Sequence, residues 1–188
     1  MRLPKSMTAA VLLAASLGVA GPAAAWEMRG TQVIVLHGRD GSPVRIGTVT
    51  FTPQGARTGV AVTLDTDRFQ DFFLSMKEFK CLPTPDEVFC HVPYPYPNPA
   101  SVTADDLAWL EHALLFFYKL PSEFGAKLWN GVYYRLTPTD AGLVGRPQAV
   151  DLNQIGAPPA DTGKPPYGPA ERSDIAPGAR WFGTLTIQ

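Results

Sequence analysis

The chain has 188 residues with a formal net charge of −1, and 45% of its residues are hydrophobic, which is enough to form a core. No basic stripe runs along the sequence, which argues against a nucleic-acid partner. Charged residues make up only 18% of the chain and proline is frequent, a balance that favours an exported domain with long ordered loops.

Residues 1–25 are predicted to be a secretory signal peptide. Positive residues near the start precede an apolar segment over 9–20, and small residues up to Ala25 provide a cleavage site. The alternative is an uncleaved membrane anchor, because the uncharged span is just long enough to cross a bilayer. Cleavage would leave residues 26–188 as a single periplasmic domain without a membrane span.

Three strands and one ambiguous segment are predicted next. β-branched residues and alternation predict strands over 31–37, 44–51 and 60–64, joined as an antiparallel meander. Residues 67–76 carry large apolar side chains at helical spacing, which predicts a helix, although their aromatic content also permits a strand.

Cys81 and Cys90 are the only cysteines in the chain. In an exported protein they are predicted to form a disulfide rather than a metal site or a redox pair, and their spacing is not that of a C-x-x-C motif. The run 93–99 cannot be a helix or a central strand, because alternate residues are prolines without an N–H. We therefore expect a stiff, extended arm that carries Tyr94 and Tyr96.

The rest of the chain is predicted to combine helices, strands and one long loop. A broad apolar stripe predicts a long helix over 103–120, and a short helix is expected over 122–129. The remaining predicted strands cover 132–137, 143–152 and 181–187, and a Pro/Gly-rich loop covers 156–179. The expected fold is a single α+β domain in which an antiparallel sheet of about five to six strands packs against one long and one or two short helices, with one disulfide.

The sequence contains no recognised catalytic signature. It lacks a nucleophile elbow, a phosphate-binding glycine loop and a zinc-type histidine pair, so we predict no catalytic residue, no metal site and no cofactor. Aromatic residues instead favour a binding surface, because they build apolar pockets and protein contacts as well as core. The expected members of this surface are His91, Tyr94, Tyr96, Trp129 and Tyr133.

Three segments, 79–81, 89–96 and 128–134, resemble a group of small exported bacterial proteins without an assigned activity. The resemblance implies a location in the cell envelope and a disulfide between Cys81 and Cys90. It carries over no catalytic residue.

The expected function is non-catalytic binding of a protein or another envelope component through the stiff aromatic and proline loops. Two alternatives remain open. One is a hydrolase that uses His91 with a nearby acid, Asp86 or Glu87. The other is a carrier of a small apolar ligand, with its pocket between the sheet and the long helix.

Overall fold

A computed structural model describes residues 26–188, and the predicted signal peptide lies outside the described residues. Strands dominate this range, which contains twelve strands and a single α-helix. Their bounds are β1 Gly30–Gly38, β2 Pro43–Gln54, β3 Arg57–Leu64, β4 Gln70–Leu74, β5 Lys77–Pro83, β6 Val88–His91, β7 Ser101–Val102, α1 Ala108–Ala113, β8 Phe116–Lys119, β9 Gly131–Thr139, β10 Gly142–Val150, β11 Ser173–Asp174 and β12 Phe182–Ile187.

The predicted α+β fold, with five to six strands and a long helix, is wrong. The strands form one antiparallel sheet in the order β4-β5-β6-β8-β9-β10-β12-β1-β2-β3-β7, with β11 paired to β10. The strands predicted from alternation are confirmed as β1, β2, β3, β9, β10 and β12. The last strand, β12, lies between β10 and β1 near the middle of the sheet.

The predicted long helix over 103–120 is mostly not helical. Only α1 is a helix, and β8 occupies the C-terminal part of the segment. Side chains along a strand alternate between faces, so Phe117 enters one buried cluster and Phe116 enters the other. The broad apolar stripe is therefore that of a strand buried on both faces. No helix between residues 26 and 188 combines the length and apolarity needed to cross a membrane.

The two other helix predictions are also wrong. Residues 67–76 contain a short 3-10 turn, Thr66–Arg68, followed by β4, which is the strand that their aromatic content permitted. Ser75 and Met76 have φ angles of 50° and 66° and form the two-residue turn into β5, as the twist of an antiparallel hairpin favours. Residues 122–129 have irregular backbone.

Two buried clusters lie on opposite faces of the strands β6, β8 and β9. The first cluster fills the space enclosed by β1, β2, β12 and these strands. The second cluster is covered by α1, by the proline-rich run and by part of the loop 156–179, which contributes Tyr167. Its fully or nearly buried members are Phe79, Cys81, Val88, Cys90, Tyr94, Trp109, Leu115, Phe117, Tyr133, Val150, Leu152, Ile155 and Tyr167.

The predicted disulfide is confirmed. Cys81 and Cys90 are direct partners in the adjacent strands β5 and β6, and their Cα atoms lie 3.9 Å apart. Both side chains are fully buried. The bond therefore fastens the two strands of a hairpin from inside the core, rather than closing a bend at the surface.

Candidate functional site

An apolar groove lies where β5 and β6 separate. The two strands pair as far as Cys81 and Cys90 and no further in that direction, so residues 77–80 are paired with β4 alone. If the pairing of β5 with β6 continued in the same register, Glu78 would face Pro93, which has no N–H to donate. The space left between β5 and the proline-rich run has a volume of about 620 Å³.

Glu78 presents free backbone groups to this groove. The residues that flank a two-residue turn form a hydrogen-bonded pair, and hydrogen-bonded and non-hydrogen-bonded pairs then alternate along the strands. Leu74 and Lys77 are the first pair, so Phe73 and Glu78 form a non-hydrogen-bonded pair. The N–H and C=O of Glu78 therefore point away from β4, and neither has a hydrogen-bond partner within residues 26–188.

The lining of the groove is largely aromatic and aliphatic. Tyr96 and the proline rings of residues 93 and 95 form one side, opposite β5. The Lys77 ammonium lies 5.5 Å from the centre of the Phe79 ring, at the same site. The remaining apolar residues that line the groove are Val92, Leu128, Leu152 and Ile155.

His91 also lines the groove, without a contact to either acid that was expected to assist it. Its Nε2 lies 2.9 Å from the carbonyl oxygen of Ala113 and donates to it, and burial lowers the pKa of the ring to about 4. Asp86 and Glu87 each pair with an arginine instead. Neither acid is hydrogen-bonded to His91 in the described part of the chain.

The structure gathers only some of the residues predicted to form the binding surface. His91 and Tyr96 line the groove, whereas Trp129 is 59% exposed and does not line it, although it follows the groove residue Leu128 in sequence. Tyr94 is only 8% exposed and packs against the Tyr96 ring, with 5.5 Å between ring centres. Tyr94 therefore supports the groove from the core instead of contacting solvent.

Two apolar side chains are almost fully exposed near the turn between β4 and β5. Met76 and Phe124 are 90% and 93% exposed, respectively. Their chain segments meet because the Ala126 N–H donates a hydrogen bond to Oγ of Ser75, across 3.0 Å. We call Met76 and Phe124 the apolar rim.

Tyr133 lies away from the groove, at a polar pocket of about 400 Å³ between α1, β9 and the loop residues 164–172. Its hydroxyl donates to the buried carboxylate of Glu111, which also accepts the Leu136 N–H at 2.7 Å. Burial raises the pKa of Glu111 and that of Tyr133. The pair links α1 to β9, and this structural role accounts for the burial of both side chains.

The long helix that was expected to cover an apolar ligand pocket is absent from the described residues, and the groove lies elsewhere, between β5 and the proline-rich run. No group of three or more His, Cys, Asp or Glu side chains that could hold a metal ion occurs between Trp26 and the C-terminus.

Sequence reasoning missed most of the groove because four separate segments contribute to it. Phe79, Leu128, Leu152 and Ile155 come together only through strand pairing and the second buried cluster. One signal was available: Pro93 and Pro95, shortly after β6, cannot donate hydrogen bonds to β5 and so cannot extend its pairing.

No protein-family model matches the chain, and no curated protein or solved structure shows a significant similarity to it. Function must therefore be inferred from the geometry of the chain itself.

Proposed function

We propose that the protein is a non-catalytic periplasmic binding domain, and that its groove receives an extended apolar segment of a partner protein as an added β-strand. The proposal rests on one observation above all: the N–H and C=O of Glu78, on the edge of β5, are unpaired within residues 26–188 and border an apolar groove.

The open edge suits a short extended peptide. Residues 77–80 span roughly 13 Å at the usual rise of about 3.3 Å per residue. A peptide strand placed beside them would exchange hydrogen bonds with the N–H and C=O of Glu78, while alternate side chains enter the groove. Main-chain hydrogen bonds then supply affinity, and the aromatic and proline walls select apolar side chains.

The apolar rim favours a protein segment over a small molecule. A ligand enclosed by the groove would leave Met76 and Phe124 in water, whereas a longer partner would cover them as well. Large apolar side chains left in water near a groove favour a protein contact. The proline-rich wall is already stiff, so little conformational entropy is lost when a partner binds.

The periplasmic location is part of the same proposal. The N-terminal residues have the composition of a signal peptide. The disulfide between β5 and β6 is of a kind that persists in oxidising compartments.

A proline substitution tests the added strand directly. The Glu78 N–H is not used in pairing with β4, so Glu78→Pro removes a donor that faces the groove and leaves the fold's own hydrogen bonds in place. Peptides selected from a random 12-residue display library on the secreted protein supply the probe. We expect Glu78→Pro to weaken their binding about tenfold, since a lost hydrogen bond costs about 1 kcal/mol or more.

The matched control is Glu78→Ala, which keeps the N–H and removes only the side chain, and it should bind as tightly as the wild type. Equal binding by Glu78→Pro, or a library that yields no groove-specific peptide, would refute the proposal. Binding of dodecanoate in the groove without any peptide binding would support a small-ligand carrier in its place.

A further inference from the structure

Two arginines face each other across neighbouring strands. Arg135 in β9 and Arg146 in β10 are direct register partners. Direct partners share one face of the sheet, with Cβ atoms about 5 Å apart, and like charges in such positions repel each other. The Arg135 side chain is 56% exposed and Arg146 is also exposed. A pair of this kind destabilises the sheet unless an anion lies between the two guanidinium groups.

A pocket of about 550 Å³ adjoins this pair. It occupies the place where β10 changes partners: Gly145 is paired with β12 and Gln148 with β11, while the two residues between them have no partner on that side. Thr137 and Thr184 also line the pocket, and each brings a hydroxyl group. The opening therefore combines the guanidinium groups of Arg135, Arg146 and a third arginine, Arg180, with neutral hydrogen-bond donors.

Two acids lie at or near the pocket. Asp174 lines it and accepts a hydrogen bond from the neutral Gln148 side chain at 2.8 Å, and it forms no ion pair with either arginine within residues 26–188. Glu111 approaches Arg135 only to 3.8 Å and accepts its hydrogen bonds from other groups. Arg146 forms no ion pair or side-chain hydrogen bond within residues 26–188. Its charge is available to a ligand.

The third arginine of the pocket, Arg180, is already neutralised. Its Nη1 lies 2.8 Å from the buried Glu87 carboxylate, and its guanidinium stacks over the Tyr118 ring at 3.5 Å. Arg180 therefore forms a fixed wall. Arg146 has no counter-charge within residues 26–188, and Arg135 has only the distant Glu111 contact at 3.8 Å.

We propose that the pocket binds a phosphate group, held between the guanidinium groups of Arg135 and Arg146 and hydrogen-bonded to the hydroxyl groups of Thr137 and Thr184. Guanidinium groups match phosphate oxygens with paired hydrogen bonds. The guanidinium groups come from β9 and β10, and the two hydroxyl groups come from β9 and β12, so the donors approach from several directions. This arrangement suits a tetrahedral anion with at least three free oxygens. The site is separate from the groove beside β5, since the two share no lining residue.

Phosphate groups of this kind occur on soluble sugar phosphates and on lipid headgroups, and two binding assays on the secreted full chain separate these sources. The first titrates glucose 1-phosphate, with glucose as the neutral match. The second uses vesicles that contain phosphatidic acid, whose monoester phosphate has three free oxygens, with phosphatidylcholine vesicles as the match. We expect binding in one of the phosphate arms and none to glucose, and Arg146→Gln should weaken that binding at least tenfold.

The control variant is Arg45→Gln, whose arginine pairs with Asp65 at 2.8 Å outside this pocket and which should bind like the wild type. A second readout needs no ligand: Arg146→Gln should raise the melting temperature at low salt, because it removes the repulsion, and the gain should shrink as salt screens the charges. Absence of binding in both phosphate arms, or a lower melting temperature of Arg146→Gln at low salt, would overturn the proposal.

Discussion

The main-chain N–H of Tyr167 donates a hydrogen bond to Nε2 of His112 across 3.2 Å. The other ring nitrogen, Nδ1, lies 2.7 Å from the carbonyl oxygen of Ala108 and donates to it. One nitrogen accepts and the other donates, so the ring is neutral and carries its proton on Nδ1. Burial lowers the pKa of His112 to about 4, in agreement with this arrangement.

Acidification should therefore destabilise the protein. The His112 pKa is near 6.5 in an unfolded chain and about 4 in the fold, so below 6.5 the unfolded state binds more protons and stability falls until the pH reaches about 4. A pKa shift of this size corresponds to about 3 kcal/mol of stability lost over this pH range. Urea unfolding as a function of pH should show this slope in the wild type and a shallower slope in His112→Gln. An NMR titration of the His112 ring with a midpoint near 6.5 would contradict the prediction.

Glu111→Gln should destabilise the protein by about 1–3 kcal/mol at acidic pH, and the difference should shrink as the pH rises. The new amide nitrogen cannot accept the Tyr133 hydroxyl. Because burial raises the Glu111 pKa, the wild type has its full stability below the unfolded value of 4.5 and loses stability as the pH rises through the folded value. The glutamine variant has no such loss.

The measurement is urea unfolding of the wild type and Glu111→Gln at several pH values. Glu27→Gln is the control, because Glu27 is exposed and should show no such trend. A difference that widens with pH would mean that Glu111 ionises more easily in the fold than in water.

Reduction of the disulfide should lower the free energy of unfolding by about 2.5–3 kcal/mol, the chain-entropy value for a loop of roughly ten residues. Denaturant titration with and without a reductant measures this change. The double variant Cys81→Ala/Cys90→Ala should not respond to the reductant. An equal response in that variant would show that the reductant acts elsewhere.

Tyr167 should hold the loop 156–179 on the second buried cluster. Its hydroxyl donates to the Asp151 carbonyl at 3.0 Å, so Tyr167→Phe should cost about 1 kcal/mol. Tyr167→Ala should cost about 3–5 kcal/mol and increase hydrogen exchange throughout the loop. Met76→Ala is the control, because that side chain is almost fully exposed. Unchanged exchange in Tyr167→Ala would mean that other contacts hold the loop.

The strands were predictable where one face of the sheet is buried and polar residues alternate with apolar ones, as in β1 and β2. The sequence was ambiguous where both faces are buried. The run 114–118 is apolar throughout, and such a run fits a buried helix and a buried strand equally well. Only the pairing of β8 with β6 and β9 decides between them.

The groove was predictable in part. Prolines at 93 and 95 predicted an arm that cannot pair as a strand, and Tyr96 and His91 were expected to face a ligand. The open edge of β5 over residues 77–80 was not predictable, because these residues were expected to lie after a helix. Likewise, Arg135 and Arg146 are eleven positions apart in sequence, and only the register of β9 with β10 makes them neighbours.

The position of β12 has a consequence for the rate of folding. Strand β12 joins β1 to β10, and the Gln188 carbonyl accepts the Val33 N–H at 2.8 Å. Ile34 near the start of the described range pairs with Ile187 near its end, and closing so distant a contact is slow. The insertion of β12 between β1 and β10 is therefore expected to be a late step, before which the β1–β3 meander has no strand to connect it to β10.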